Sequence, residues 1–265
     1  MSKGKVYTLI TGGSQGIGRA MADECASRGH NIIIVALQHP DVDTAKAEIE
    51  AKYGVDVKVF CIDLSQREAP QMVHDWFTAE GLSINILINN AGYGRSGLYL
   101  RHELETYYNM LELNNRAVVG LVYKFLPEIR KHPKGYILIM GSAESTMPMP
   151  YKAIYTGTKH FLFGFSLALK KELEEDNIGV TIVTPGPTVT NEDGRKRIKD
   201  AGLGGKIVLS MPEGVAKKAI NGMFRGRLVV PAGNLIGQLM WLSRHLPHWL
   251  KMKLLMATAK DFKNH

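Results

Sequence analysis

The chain has 265 residues, 45% hydrophobic and 22% charged, a composition that excludes a disordered or fibrous protein and predicts a compact fold. It contains no apolar run of the ~18 residues needed to span a membrane, no secretory signal and only two isolated cysteines, so we expect a cytoplasmic protein. The net charge of +8 is spread along the chain without a recognition motif, which favours a solvated surface over nucleic-acid binding.

Short β-branched runs alternate along the chain with longer segments of helical periodicity. The predicted strands are residues 6–10, 32–35, 55–62, 84–88, 136–140, 180–183 and 228–230. The predicted helices include residues 20–28, 44–52, 111–130 and 154–175. Because strands that alternate with helices form parallel sheets covered on both faces, we predict an α/β fold with a single doubly wound, Rossmann-type sheet of about seven strands.

A glycine-rich segment follows the first predicted strand and precedes the first helix. It reads Thr-Gly-Gly-Ser-Gln-Gly-Ile-Gly from position 11 to position 18. Glycines let the backbone approach a pyrophosphate closely, and the amide groups at a helix N-terminus attract anions. The segment therefore predicts a dinucleotide site, although glycines in this pattern also serve tight turns that bind nothing. The residues predicted to contact the dinucleotide are Gly12, Ser14, Gln15, Gly16, Ile17 and Gly18.

Tyr155 and Lys159 lie four positions apart on a predicted helix, so their side chains project from one face. A free tyrosine has a pKa near ~10, and a neighbouring ammonium, helped by the positive ring of an oxidised nicotinamide, lowers that pKa. The pair therefore predicts an acid and base group. Taken alone, such a pair is more often part of a helix surface, but Ser142 and a dinucleotide turn accompany it here.

Five motifs occur in order along the chain. They are the glycine turn at 12–18, Asn-Asn-Ala-Gly at 89–92, Ser142, the Tyr155 and Lys159 pair, and Pro185-Gly186. Over residues 5 to about 190 the chain resembles the short-chain dehydrogenase/reductase family. The resemblance implies that Ser142 binds the substrate oxygen, Tyr155 transfers the proton, and Lys159 also holds the nicotinamide ribose. It implies that Asn114 supports a water-linked proton relay, with Asn115 as the neighbouring alternative.

The same resemblance implies a longer set of cofactor-binding residues. Asp63 matches an acid that contacts the adenine, although a helix N-cap is its structural alternative. Thr188 stands where the family usually has valine. We expect its backbone to contact the nicotinamide carboxamide, and the packing of its side chain is left open. Beyond the glycine turn the set comprises Leu37, Asp63, Leu64, Asn90, Ala91, Gly92, Tyr155, Lys159, Pro185, Gly186, Thr188 and Thr190. No metal ligand is predicted.

The end of the second predicted strand bears on the choice between NAD and NADP. An NAD site normally has a carboxylate about 20 residues beyond the glycine turn, but residues 35–38 contain none. The arginine that often binds a ribose phosphate is also missing, because Leu37 occupies its position and Arg19 or His39 would have to substitute. These observations favour NADP(H), with NAD(H) as the alternative.

Two segments near the C-terminus depart from the alternation of strands and helices. Residues 190–212 carry several glycines and a basic cluster at 195–199, which is typical of a loop over a site or of a surface excursion. Residues 234–262 are basic and amphipathic, and Pro247 divides them into two short helices. We predict a catalytic domain, 1–233, and a helical extension, 234–265, packed on it. Binding of the extension to an anionic membrane or to a second subunit is the alternative.

The sequence predicts an NAD(P)-dependent oxidoreductase that transfers a hydride between nicotinamide and a ketone or secondary alcohol. The apolar extension, together with Tyr93, Met147 and Met149, favours a hydrophobic substrate such as a lipid, an acyl chain or a steroid. The alternative is a non-catalytic regulatory or membrane-surface scaffold protein that binds a dinucleotide. Such a protein would not need the four candidate catalytic residues Asn114, Ser142, Tyr155 and Lys159. By the resemblance we also expect a homodimer or homotetramer, and we expect no nucleic-acid partner.

Overall fold

A computed structural model of the protein describes residues 5–189 and 209–233, together with seven single positions between 247 and 259. The predicted contact residue Thr190, most of the loop at 190–212 and most of the extension at 234–265 lie outside these described residues. Within the described ranges, no helix combines the length and the apolar character that crossing a membrane requires.

The seven strands of the described chain form one parallel sheet, as predicted. They are β1 Val6–Thr11, β2 Asn31–Ala36, β3 Val57–Cys61, β4 Ser83–Asn89, β5 Gly135–Met140, β6 Ile178–Val183 and β7 Val229–Val230. The strand order is β3-β2-β1-β4-β5-β6-β7, and every neighbouring pair is parallel. The doubly wound α/β fold is therefore confirmed.

The helices connect successive strands and cover both faces of the sheet. They are α1 Gly16–Ala26, α2 Pro40–Tyr53, α3 Ala69–Ala79, α4 Leu104–Leu111, α5 Ala117–Arg130, α6 Ala153–Glu172 and α7 Pro212–Phe224. Between α4 and α5 the segment Glu112–Arg116 forms a π turn, and short 3-10 turns occupy Tyr99–Arg101 and Ala143–Thr146. The helix predicted at 111–130 thus begins at the last residue of α4 and comprises the π turn and α5.

Apolar side chains fill the space on both sides of the sheet. Leu9 and Leu87 pack into the cluster that includes α3, α5 and α6, whereas Ile10 and Ile88 pack into the cluster that includes α1, α2 and α7. Since successive strand residues point to opposite faces, a strand buried on both sides reads as an unbroken apolar run. This explains why the strands could be predicted from short hydrophobic segments.

The strand order reverses between β1 and β4, and this reversal positions the site. The chain builds β2 and β3 on one side of β1 and then crosses to place β4 on the other side. In open parallel sheets, ligands bind beyond the carboxyl ends of the strands at such a reversal. The carboxyl ends of β1, β4 and β5 here carry the glycine turn, Asn90 and Ser142.

The described part of the C-terminal extension touches the sheet domain near Met147 and Met149. Leu255 and Ala259 are buried, and with both methionines they form a small apolar cluster against which Tyr151 packs. The segment from Met147 to Tyr151 follows the Ser142 turn and precedes α6. The extension therefore contributes apolar surface to the chain between Ser142 and Tyr155.

Candidate active site

The glycine turn between β1 and α1 has a backbone shape that side chains would obstruct. Gly12 and Gly16 have positive φ angles, 65° and 54°, which L-residues with side chains rarely adopt. A Cβ on Gly18 would lie 2.0 Å from the Gly12 carbonyl oxygen and 2.5 Å from Asn90 Nδ2. The close approach of α1 to the turn therefore requires glycine at position 18.

The N-terminus of α1 is open toward the crevice. Gln15 occupies the N-cap position in an extended conformation without a side-chain cap, and the first turn contains no acidic residue. The first amide groups of a helix have no partner within the helix, and the helix dipole makes this end positive. The donor set fits the pyrophosphate of a dinucleotide. Ser14 and Ile17 lie in this same turn.

Asn90 ties the glycine turn to β4. Its side-chain amide donates to the carbonyl oxygens of Thr11 and Gly12 at 3.0 and 3.3 Å. The Thr11 hydroxyl oxygen in turn accepts from the backbone amides of Asn90 and Ala91, both at 2.9 Å. These bonds hold the two loops on either side of the crevice at a fixed separation.

Asp63 lies just beyond β3 and forms a local turn with Ser65, not the helix N-cap that was its structural alternative, because α3 begins at Ala69 with Glu68 at its N-cap. One oxygen of its carboxylate accepts from the Ser65 backbone amide at 2.9 Å and from the Ser65 hydroxyl at 2.7 Å. Leu64 between them is buried. Contact of Asp63 and Leu64 with an adenine stays a prediction.

An acid that the sequence window at 35–38 did not include, Asp41, lies beyond the end of β2 in the first turn of α2. The amide of Gln15 donates to the Asp41 carboxylate, and the His39 ring accepts from the Asp41 backbone amide at 3.3 Å. Arg19 is already bonded to Asp23 and Glu48, at 3.0 and 2.7 Å. Of the two substitutes considered for binding a ribose phosphate, Arg19 is thus paired, and His39 caps α2. Leu37 is 61% exposed at this rim.

Ser142 begins the 3-10 turn that follows β5. Its hydroxyl oxygen accepts from the Glu144 backbone amide at 3.1 Å, while the Ser145 hydroxyl oxygen accepts from the Ser142 amide at 2.9 Å. This reciprocal capping box fixes the side chain of Ser142. Because the capping bond uses only oxygen lone pairs, the hydroxyl proton of Ser142 is available to a ligand.

Tyr155 and Lys159 lie in the first two turns of α6. The Lys159 Nζ is buried, donates to the Met140 carbonyl oxygen at 2.8 Å and lies 5.8 Å from the centre of the Tyr155 ring. A Cβ on Gly94 would meet the Tyr155 ring at 2.8 Å, so the loop after β4 packs directly on the phenol. The bond to the end of β5 anchors Lys159 beside Ser142.

The phenol of Tyr155 is less acidic in the protein alone than a free tyrosine. Burial and the nearby Glu144 carboxylate raise the pKa of Tyr155 to about 12, and a hydrogen bond with Ser142 opposes this rise. Burial also lowers the pKa of Lys159 to about 8, with Glu144 acting in the opposite direction. In the protein alone, desolvation outweighs the effect of the neighbouring ammonium, because it disfavours the charged form of both groups. The lower pKa expected with a bound oxidised nicotinamide stays a prediction.

This burial of Lys159 has a measurable effect on stability. The pKa of Lys159 falls from 10.5 to about 8 on folding, so between these pH values the unfolded chain binds a proton that the folded chain has lost. The free energy of unfolding contributed by Lys159 therefore rises with pH through this window, by up to roughly 3 kcal/mol. We expect denaturant unfolding to show that the free energy of unfolding of wild type rises relative to that of Lys159→Met between about pH 7 and about pH 10. A difference in free energy of unfolding that stays constant with pH would contradict the burial of the Lys159 ammonium.

Asn114 lies in the π turn and faces the loop after β4. Its amide nitrogen donates to the Tyr93 carbonyl oxygen at 2.9 Å and to the Thr158 hydroxyl at 3.1 Å, and its oxygen accepts from the Tyr93 amide at 3.1 Å. Asn115 donates to the Thr158 carbonyl oxygen at 2.9 Å. A Cβ on Gly92 would lie 2.8 Å from the Asn114 oxygen and 3.7 Å from Lys159 Nζ. The Asn114 oxygen and the Lys159 ammonium therefore both border Gly92, whereas Asn115 bonds to the backbone of α6.

Pro185 and Gly186 follow β6 and close the crevice on the side of β5. The Pro185 carbonyl oxygen accepts from the Ala143 amide at 2.8 Å, which ties this loop to the Ser142 turn. The Thr188 hydroxyl donates to the Gly186 carbonyl oxygen at 2.9 Å, so the threonine in place of valine bonds within its own loop.

Sequence reasoning missed three residues of the site: Gly94, Glu144 and Thr158. Gly94 and Thr158 matter because of what packs beside them, and no pattern in the sequence marks such contacts. Glu144 stands two residues after Ser142, and an acid this close to the candidate catalytic serine was the one signal available.

The sequence profile of the short chain dehydrogenase family matches residues 7–201. The chain belongs to this family. It is 34% identical over 189 residues to the very-long-chain 3-oxoacyl-CoA reductase of Kluyveromyces lactis, a match covering 68% of this chain and 55% of that protein. A protein of the same name from Macaca fascicularis is 27% identical over 271 residues, covering 98% and 81% of the two chains. The chain spans about half the length of the fungal relatives it matches.

Solved structures show the same fold. L-sorbose reductase from Gluconobacter frateurii, complexed with NADPH and L-sorbose, superposes with a TM-score of 0.75 and 28% identity, over 89% of this chain and 99% of that one. A short-chain dehydrogenase from Sphingobium yanoikuyae in complex with NADPH gives a TM-score of 0.75 and 30% identity, over 85% and 87% of the chains.

Proposed function

We propose that the protein is an NADP(H)-dependent reductase of ketones on hydrophobic substrates. The observation that carries this proposal is the convergence of Ser142, Tyr155 and Lys159 at the same end of the sheet as the uncapped N-terminus of α1. Similarity to very-long-chain 3-oxoacyl-CoA reductases supports a hydrophobic acyl substrate, and similarity to structures that hold NADPH supports NADP(H) over NAD(H). The missing carboxylate at 35–38 is in line with that cofactor.

The protonation state of the phenol suits Tyr155 to act as the acid in a reduction. With a pKa of about 12, Tyr155 is protonated at neutral pH and is able to donate a proton. When bound, the nicotinamide cofactor supplies the hydride. Tyr155 gives its proton to the substrate oxygen, and the Ser142 hydroxyl donates a hydrogen bond that holds this oxygen. Lys159, fixed by the Met140 carbonyl, supports the phenolate that remains. The three side chains are therefore equipped to assist a ketone reduction.

A panel of carbonyl substrates tests the proposal. We expect consumption of NADPH with long-chain 3-oxoacyl thioesters and apolar ketones, at a higher kcat/KM than with sugar ketones and at a higher kcat/KM than with NADH. Saturable cofactor binding without turnover of any carbonyl would instead favour the non-catalytic alternative. A preference for sugar ketones would contradict the hydrophobic substrate.

Exposed apolar side chains on α4 and α5 support assembly of the chain with itself. Leu104, Tyr108 and Leu111 on α4 and Val119 on α5 are exposed, and Tyr123 on α5 is 75% exposed. Adjacent exposed apolar groups mark contact surfaces. We infer that a homodimer or homotetramer forms through these helices.

A charge placed on this surface tests the assembly. We expect Tyr123→Glu to shift the mass in sedimentation equilibrium toward the monomer, because a buried unpaired carboxylate opposes association. Met72→Glu, which changes an exposed residue on α3, serves as the matched control and keeps the wild-type mass. A monomeric wild type would rule out the interface.

A further inference from the structure

A cleft lies at the amino edge of the sheet, where β5 and β6 begin, between the ends of α6 and α7. Its volume is about 280 Å³, close to the ~300 Å³ at which small-molecule sites begin. The candidate active site lies at the opposite, carboxyl edge, one strand length away, which for the six residues of β5 is about 20 Å. The cleft is therefore separate from the candidate active site.

Two aromatic rings form the apolar wall of the cleft. Tyr136 on β5 and Phe224 at the end of α7 contact each other edge to face, with their ring centres 5.1 Å apart. Phe224 also stacks on His30 at 5.6 Å, which holds its ring in place. Gly179 on β6 pairs with Tyr136, and a Cβ at Gly179 would lie 3.2 Å from the Tyr136 ring. Because Gly179 has no side chain, this part of the Tyr136 ring stays uncovered.

The polar groups that line the cleft are mainly cationic. Lys134, Lys170 and Arg225 contribute three positive charges, against the single acid Glu174. The Glu174 carboxylate is paired with the Lys171 ammonium at 2.6 Å. Within the part of the chain that the structure describes, the side chains of Lys170 and Arg225 form no ion pair and no hydrogen bond. Both cations are therefore available to an anion from solution.

Lys134 extends the cationic side of the cleft over the aromatic wall. Its ammonium donates to the Asn177 side-chain oxygen at 2.8 Å and lies 5.9 Å from the centre of the Tyr136 ring. An ammonium has three donors, so two of them remain for a ligand. The Tyr136 hydroxyl, too, has no hydrogen-bond partner among the described residues. Polar donors and an uncovered ring thus border the same space.

We propose that the cleft binds a small, planar aromatic anion. Its ring lies against Tyr136 and Phe224, and its carboxylate or phosphate is held by Lys170 and Arg225. A guanidinium forms paired hydrogen bonds to either kind of anion, and a recess lined by one sign of charge raises the local concentration of the opposite sign. The inference is independent of the proposed function, since no residue of the candidate active site takes part.

Calorimetry on the full chain with four probes of similar size tests the inference. The probes are 2-naphthoate, 2-naphthyl phosphate, the saturated analogue decahydro-2-naphthoate, and the cation 2-naphthylmethylammonium. We expect the two naphthyl anions to bind one per chain, about threefold or more tightly than the saturated acid and about tenfold or more tightly than the cation. The tighter of the two anions identifies the preferred head group.

Three results would overturn the inference. They are the absence of binding, equal dissociation constants for all four probes, and displacement of 2-naphthoate by NADPH. Displacement would place the probe in the dinucleotide crevice at the other edge of the sheet.

Variants assign the binding to this cleft. Lys170→Met and Arg225→Met are each expected to weaken binding of 2-naphthoate about threefold, and together about tenfold. Lys217→Met, which removes a cation from an exposed position on α7 outside the cleft, is the matched control and keeps the wild-type dissociation constant. Wild-type affinity in the double variant would contradict the proposed site.

Gly179→Ala tests the aromatic wall separately from the charges. The added methyl group covers the open part of the Tyr136 ring, so the advantage of 2-naphthoate over its saturated analogue should shrink. This ratio is taken within one protein, so a general loss of stability cancels. An unchanged ratio would show that the ligand does not lie on Tyr136 and would overturn the aromatic part of the inference.

Discussion

Replacement of Tyr155 by phenylalanine is expected to lower kcat for ketone reduction by roughly 10²–10⁴-fold, the range supplied by a positioned acid. The change removes one hydroxyl and leaves the ring, which packs against the loop at Gly94. We therefore expect the dissociation constant for NADPH, measured by fluorescence titration, to stay close to that of wild type. Loss of turnover with retained binding would identify the phenol as the proton donor.

The pH dependence and a matched variant make this test specific. Because the pKa of Tyr155 is about 12, reduction by wild type should show no loss from tyrosine ionisation at neutral pH. Tyr53→Phe removes the hydroxyl of a partly exposed tyrosine at the end of α2, outside the site and the proposed subunit interface, and should retain wild-type kcat. Wild-type turnover in Tyr155→Phe would exclude Tyr155 from the reaction and, with it, the proposed mechanism.

The second large effect is expected from Gly18→Ala. The added methyl group would lie 2.0 Å from the Gly12 carbonyl oxygen and 2.5 Å from Asn90 Nδ2, and neither the backbone nor the bonded amide can move without breaking the turn. Overpacking of this kind costs about 1–3 kcal/mol. We expect a lower free energy of unfolding in urea and a loss of cofactor binding that exceeds the loss of stability, because the phosphate-binding amides belong to the displaced turn.

Gly164→Ala provides the matched control for this substitution. Gly164 lies exposed in α6, and an added Cβ would meet no atom within 4 Å. Since glycine within a helix is destabilising relative to alanine by about 1 kcal/mol, Gly164→Ala should raise the free energy of unfolding and leave cofactor binding unchanged. If Gly18→Ala bound NADPH as wild type does, the close packing at the turn would not matter for function.

The sequence predicted the fold well because its strongest signals were local. Strands buried on both faces appear as apolar runs, and the glycine turn marks the step from β1 to α1. Boundaries were less accurate, as with the strand predicted at 55–62 and observed at Val57–Cys61. These ends depend on hydrogen bonds to neighbouring strands, which hydrophobic spacing does not report.

The features that the sequence could not provide depend on contacts between distant segments. The high pKa of Tyr155 arises from burial and from Glu144, and neither follows from the spacing of Tyr155 and Lys159. The choice between Asn114 and Asn115 likewise required the π turn, because a regular helix gives no reason to prefer one of them. Asp41 escaped notice because it lies in the first turn of α2, beyond the strand end where an acid was sought.

The π turn at Glu112–Arg116 also sets a limit on engineering this protein for thermal resistance. A π turn is a rare, locally inserted irregularity in an α-helix, often found at functional sites. Deleting one residue to regularise the helix would rotate Asn114 by about 100° relative to α5 and separate it from Tyr93 and Thr158. A redesign that raised the melting temperature in this way would lower catalytic activity. Stabilising changes therefore belong on α2 or α7 instead.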